Sequence, residues 1–209
     1  MKPDLLNRLH AGAERIAGAA IRAGGVLMLA AALLVAFDVT MRKLFNVTLG
    51  GADELAGYAF AIATSWSFAF VLLKRGNVRI DALYMHLPQR LCAVLDFLAV
   101  LALGTFAIVL ARHGYDVMAY SWSIGARSNS SLQVPLWAPQ LAWWAGLALY
   151  VVTLCLLLLR SCTLLVAGRF EQVHEMLGAR TAEEEAAEEA TQARERDLRQ
   201  GTRFAGAQS

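Results

Sequence analysis

The chain has 209 residues, of which 57% are hydrophobic and 17% are charged, and its formal net charge at pH 7 is +2. A soluble domain normally carries about a quarter charged residues, so this composition excludes an ordinary soluble protein. A net charge so close to zero lacks the excess of basic residues that is typical of a nucleic-acid-binding protein. The polar segment after Gly178 is too short and too charged to build a core of its own.

Four continuous apolar stretches dominate the sequence. Each has about 20 residues, the length that a helix needs to cross a hydrocarbon core of about 30 Å. In lipid, only helices and closed β-barrels satisfy all the hydrogen-bonding groups of their backbone. The apolar residues in these stretches are continuous and do not alternate with polar ones, which favours helices. The stretches are residues 19–41, 52–73, 91–111 and 138–159. We therefore predict an all-α membrane protein with a four-helix transmembrane domain in residues 1–177 and a charged cytoplasmic tail in residues 178–209.

Basic residues fall mostly on alternate sides of these stretches. They precede the first, lie between the second and third, and follow the fourth, whereas the opposite side has few. By the positive-inside rule, both termini and the middle loop are cytoplasmic. The residues on the cytoplasmic side are Lys2, Arg8, Arg15, Arg22, Lys74, Arg75, Arg79, Arg90, Arg160, Arg169 and Arg180.

The segments between the stretches carry weaker signals. Apolar residues recur at helical spacing in residues 5–20, which indicates either an amphipathic helix on the inner surface or a simple extension of the first span. The same spacing between Ile80 and Leu87 predicts a short interfacial helix, and Pro88 either ends it or starts the next helix. A long outer loop is expected from Arg112 to Trp137. The tail after Thr181 is either a charged helix or a solvated, partly disordered segment.

The charged groups lie near the ends of the spans. Asp38 and Arg42 are four residues apart on one helix, so they can pair, but Arg42 can instead reach Asp53 or Glu54. A proton or cation relay needs a carboxylate near the middle of the bilayer, and the sequence offers none there. No span has a central histidine, which argues against a haem-carrying anchor. We predict no catalytic, cofactor or metal site on this chain, and hence no enzyme.

A stripe of small residues lies along the second span, which lets helices approach closely in lipid. It serves either contacts within the bundle or a partner subunit. The stripe consists of Ala52, Ala56, Ala59 and Ala63.

Three short segments carry a family resemblance. The first runs from Arg42 through Asn46 to the acidic pair Asp53 and Glu54 with Leu55. The second is Arg75-Gly-Asn-Val-Arg-Ile-Asp81, followed by Leu87-Pro88, and the third is Ser131-Leu-Gln-Val-Pro135-Leu-Trp137. In their order, spacing and four-span setting, these segments resemble the small permease subunit of tripartite ATP-independent periplasmic (TRAP) transporters. The resemblance spans about residues 20–165.

The resemblance implies a scaffold in the bacterial inner membrane. Its partners are a large multi-span permease subunit and a periplasmic solute-binding protein that delivers an organic acid. The chain itself binds no cofactor, and the coupling ion, usually sodium, belongs to the large subunit. The candidate subunit-interface or structural residues are Arg42, Asn46, Asp53, Glu54, Gly76, Arg79, Asp81, Pro88, Ser131, Pro135 and Trp137.

Three roles follow from the positions of these residues. Arg42 with Asp53 or Glu54 would tie the outer ends of the first two spans. Arg79 and Asp81 would order the inner loop. Residues 128–137 would help to form the docking face for the solute-binding protein.

Two other classes of protein stay open at this point. One is a membrane anchor subunit of a redox complex, which a haem spectrum of the purified protein would reveal. The other is a self-contained small homodimeric exporter, which would transport solute by itself in liposomes.

Overall fold

The computed structural model describes residues 3–76 and 87–178, together with the isolated positions 186, 190, 191, 193 and 194. Within these residues the chain forms helices without β-strands, and the first four helices are long and apolar enough to cross a membrane. The predicted all-α fold with four transmembrane helices is therefore confirmed. The helices are α1 (Pro3–Phe45), α2 (Ala52–Leu73), α3 (Gln89–Ser123), α4 (Trp137–Val166) and α5 (Phe170–Leu177).

The bundle has two ends that differ in their connections. At the loop end, residues 46–51 join α1 to α2, and residues 124–136 join α3 to α4. At the terminal end, α1 begins, α2 ends, α3 begins and α4 ends. Helix α2 packs between α1 and α4, α4 packs in turn on α3, and the short α5 packs on α3 and α4.

Small residues bring the helices together around α2. The Cβ of an alanine at Gly24 of α1 would lie 3.2 Å from the Cα of Ala63. On the other side of α2, Gly146 of α4 approaches so closely that its Cβ would lie 2.8 Å from the Ser65 carbonyl carbon. The indole Nε1 of Trp66 donates a hydrogen bond to the Ala142 carbonyl at 2.8 Å, which also joins α2 to α4. The small-residue stripe of α2 thus makes contacts inside the bundle.

The N-terminal segment belongs to the first span. Helix α1 is continuous from Pro3 to Phe45, which corresponds to the second of the two alternatives, an extension of the span. The predicted interfacial helix of residues 80–87 lies almost wholly outside the described residues, and so do most of residues 179–209.

Helix α3 is longer than its apolar stretch, and the predicted start of the outer loop at Arg112 is wrong. The helix continues to Ser123, which gives it a length of about 50 Å at 1.5 Å per residue. Arg112 and Asp116 pair one turn apart with a Nε–Oδ2 distance of 3.6 Å. The Tyr115 ring packs on Trp144 of α4 with centroids 5.6 Å apart. The polar residues after Ala111 end the apolar stretch, and for that reason the sequence predicted a loop there. The Arg112–Asp116 pair and the packing of Tyr115 on α4 instead stabilise about three further turns of helix.

A short amphipathic helix at the terminal end completes the core. Helix α4 ends in a Schellman motif, because Gly168 has a φ of 70° and the amide of Arg169 bonds back to the Leu164 carbonyl at 3.0 Å. The turn sends α5 back onto the bundle, where Val173 and Leu177 join the buried core. Helix α5 was not predicted from the sequence.

Candidate functional site: the loop junction

The left-handed residue that ends α1 is Asn46. It has a φ of 54°, and its amide donates to the Arg42 carbonyl at 3.1 Å. This is the αL form of a helix C-cap, in which asparagine is the commonest alternative to glycine. The cap turns the chain out of α1 and starts the loop to α2.

A valine at position 46 is expected to destabilise the fold by about 1 kcal/mol, because a β-branched side chain tolerates the left-handed region poorly. Asn46→Gly keeps the required conformation, so its unfolding midpoint in detergent is expected to stay close to that of the wild type. Equal midpoints for the valine and glycine variants would contradict this role of Asn46.

Asp38 organises the loop that follows. Its buried carboxylate accepts hydrogen bonds from the Leu49 amide at 2.7 Å and the Thr48 hydroxyl at 3.2 Å. The guanidinium of Arg42 lies 3.3 Å from the same carboxylate. Arg42 therefore takes the first of its two alternatives, and its described contact is with Asp38 rather than with Asp53 or Glu54. The loop is tied to α1 by one aspartate.

The connection between α3 and α4 is a compact hairpin. The amide of Ser128 donates to the Val134 carbonyl and that of Leu136 to the Ala126 carbonyl, both at 3.0 Å. These bonds flank the antiparallel bridge between Arg127 and Pro135. Because this is a non-hydrogen-bonded pair, the missing N–H of proline costs nothing there.

The two loops meet above the start of α2, and we call this contact the loop junction. The Ser131 hydroxyl donates to the Gly50 carbonyl. Leu132 lies against Gly51, whose φ of 145° is one that a residue with a side chain rarely adopts. The junction thus joins residues 46–51 to the tip of the hairpin.

Glu54 supplies the polar centre beneath the junction. Its carboxylate accepts a hydrogen bond from the Tyr58 hydroxyl one turn later. The hydroxyls of Ser130 and Ser128 in the hairpin also interact with it. This carboxylate lies in the first turn of α2, a favourable position for a negative charge, and close to the hairpin serines.

A family of known proteins matches the four-helix bundle. The family model of tripartite ATP-independent periplasmic transporters, DctQ component, matches residues 31–164, which is more than half of the chain. The chain belongs to this family. The resemblance to the TRAP small permease subunit is confirmed, and the DctQ-family chain is a multi-pass membrane protein and a transporter component. No curated protein matches the chain.

The candidate residues of this DctQ-family chain divide between the two ends. Arg42, Asn46, Glu54 and the hairpin residues lie at the loop junction, and the Trp137 ring packs edge-on against Trp122 with centroids 4.5 Å apart. Asp53 lies beside the junction but is exposed.

The other candidates lie at the terminal end. Pro88 is the N-cap of α3, and its carbonyl accepts the Leu91 and Cys92 amides. The Gly76 amide donates to the Val71 carbonyl at 2.9 Å as part of the α2 C-cap. Arg79 and Asp81 lie outside the described residues.

A buried acidic residue at the terminal end of the DctQ-family chain was missed as a site. Asp96 of α3 is fully buried, and its Oδ2 lies 2.7 Å from Nδ1 of His174 in α5. Nearby, the Arg90 guanidinium lies over the Phe170 ring at 5.8 Å. The two residues are 78 positions apart in the sequence, so no local sequence pattern predicts their contact. The only signal was an acidic residue within an apolar run, because such a charge needs a partner.

The polar groups at both ends make contacts within the bundle. In the described ranges, 3–76 and 87–178, no group of three or more histidines, cysteines or acidic residues is arranged to hold a metal ion. The polar contacts at the loop junction tie loops to helix ends, and the Asp96–His174 pair ties α5 to α3.

Proposed function

We propose that this chain is the scaffold subunit that binds the large permease subunit of a TRAP transporter and holds it in the inner membrane. The large subunit would use an ion gradient, usually of sodium, to take up an organic acid delivered by a periplasmic solute-binding protein. The match of the DctQ component to residues 31–164 carries the proposal. This range includes α2, α3, both loops of the loop junction and nearly all of α4.

The orientation belongs to the same proposal. Lys74, Arg75 and Arg90 lie at the terminal end, so the positive-inside rule makes that end cytoplasmic. The loop junction then faces the periplasm, where the solute-binding protein arrives. Exposed aromatic and apolar side chains surround the hairpin there, at Tyr120, Trp122 and Ile124.

Co-expression with the large permease subunit from the same organism tests the scaffold role. The large subunit is expected to elute as a single complex in size-exclusion chromatography when this chain is present, and to aggregate or degrade when it is absent. A monodisperse large subunit with unchanged yield in the absence of this chain would sink the proposal.

Glu54→Gln is expected to lower the amount of large subunit that co-purifies with this chain several-fold. The substitution removes the charge that draws the hydroxyls of Tyr58 and Ser130 together, so the junction loosens. Asp116→Asn is the matched control, because it also removes a carboxylate with one partner, Arg112, but does so on α3 without touching the junction. Wild-type co-purification and uptake by the Glu54 variant would show that the pairing does not matter for assembly.

A further inference from the structure

An apolar groove lies between α1 and α4 on one face of the bundle. Helix α1 packs along α2 but has much less contact with α4, so the two helices leave a groove of about 380 Å³ that Trp66 of α2 closes from behind. Its walls include Ile16, Ala19 and Ala23 of α1 and Ala145 and Leu149 of α4.

The groove runs from the terminal end toward the middle of the bundle. The lining on α1 begins at Ile16, about half a turn after Glu14, which lies beside Leu73 and Lys74 where α2 ends. The other end is fixed by Gly24, which lies against Ala63 near the centre of α2. A linear apolar molecule could therefore lie in the groove with its polar end level with Lys74.

Two exposed arginines flank the groove. Arg15 and Arg22 are the helical neighbours of Ala19, four residues before it and three after it. The Nε of Arg22 donates to the Gly18 carbonyl at 3.0 Å, so the side chain bends back toward the terminal end. This is the direction in which an arginine on a membrane helix snorkels to reach the interface.

Neither arginine has a carboxylate partner in the part of the chain that the structure describes. Glu14, the nearest acidic residue, pairs with His10 at 3.7 Å. A guanidinium beside lipid is costly unless an anion meets it, and its planar fork suits a phosphate. A ligand with an anionic group and an apolar chain would match both the arginines and the groove.

We propose that the groove binds an acyl chain of an anionic phospholipid whose phosphate pairs with Arg15 and Arg22. The acyl chain fills the space between the small residues of α1 and α4, which an apolar lining keeps free of water. The phosphate meets the two guanidinium groups at the terminal end. The site belongs to this chain alone and does not rest on the scaffold role.

Native mass spectrometry of the full chain in detergent tests the proposal, with dioleoyl phosphatidylglycerol and dioleoyl phosphatidylcholine as probes. Phosphatidylglycerol is expected to bind with roughly five-fold higher occupancy, the scale of one or two exposed charge pairs. Arg15→Gln with Arg22→Gln is expected to abolish this preference while leaving weak binding of both lipids. Arg112→Gln at the other end of the bundle is the matched control.

The acyl part of the site has its own variants. Ala19→Phe with Ala23→Phe fills the groove and is expected to lower the occupancy of both lipids, whereas Ala32→Phe, at an exposed position farther along α1, is expected to leave it unchanged. Inorganic phosphate in excess is expected not to displace the bound lipid. Circular dichroism of each variant checks that the helices are retained.

Four results would overturn the proposal. One is equal occupancy of the two lipids in the wild-type chain. Another is a preference that survives both arginine substitutions, and the third is displacement by inorganic phosphate alone. A disulfide from Ala19→Cys to the large permease subunit in native membranes, with no lipid retained in the complex, would show that a protein helix occupies the groove instead.

Discussion

Gly146→Leu is expected to abolish the stable bundle or to lower its unfolding midpoint more than any other single substitution proposed for this chain. Even a methyl group at this position would meet the Ser65 carbonyl carbon at 2.8 Å and the Trp66 ring at 2.5 Å. Backbone cannot rotate away as a side chain can, so α2 and α4 must separate. Overpacking of this kind typically costs about 1–3 kcal/mol, and the whole leucine side chain adds to it.

The separation should also break the hydrogen bond from Trp66 to the Ala142 carbonyl. Gly57→Leu is the matched control, because Gly57 lies on the same bundle with nothing within 4 Å of its Cβ position. Thermal unfolding in detergent, followed by the loss of monodisperse protein, measures both variants. Equal midpoints for the Gly146 and Gly57 variants would mean that α2 and α4 do not pack as closely as the structure shows.

His174→Leu is expected to destabilise the chain by about 1–3 kcal/mol, the cost of depriving a buried hydrogen-bonding group of one of its partners. The substitution removes the imidazole that contacts the fully buried Asp96 carboxylate, and it therefore weakens the packing of α5 on α3. Thermal unfolding in detergent and protease sensitivity after Gly168 are the measurements.

A second variant separates the charge from the packing. Asp96→Leu combined with His174→Leu removes both polar groups, so it is expected to cost less than His174→Leu alone. Glu171→Leu changes an exposed residue of the same helix and serves as the control. If the double variant were the less stable of the two, the pair would be stabilising in its own right and the desolvation argument would fail.

The transmembrane helices could be predicted from sequence because lipid imposes a simple rule. An apolar run of about 20 residues must become a helix to satisfy its backbone. This rule placed α2 at residues 52–73, as observed. It says nothing about where a helix stops beyond the apolar run, and therefore α1 and α3 are longer than predicted.

The missed elements depend on tertiary contacts. The last three turns of α3 carry Arg112 and Tyr115, which hydropathy assigns to a loop, but Trp144 of α4 packs there and its indole donates to the Ala111 carbonyl at 2.9 Å. Helix α5 has only eight residues, too few to be stable alone. It forms because Val173 and Leu177 are buried against α3 and α4, which its own sequence does not reveal.

The positions of the candidate residues near helix ends could be predicted from the sequence, whereas the contacts between them could not. The motifs around Asn46 and Ser131 lie far apart in sequence, yet the structure brings both loops to one junction. The partner of Arg42 was left open between two alternatives, and the structure gives Asp38 at 3.3 Å. Spacing on one helix defines which contacts are possible, whereas the fold of the following loop decides between them.

Co-purification from native membranes tests the scaffold role most directly. The chain would be tagged and extracted in mild detergent, and the proteins that co-purify with it would be identified by mass spectrometry. A stoichiometric multi-span permease, joined under gentle crosslinking by a periplasmic solute-binding protein, is the expected result. A chain that emerges alone or as a homo-oligomer from intact membranes would contradict the scaffold role.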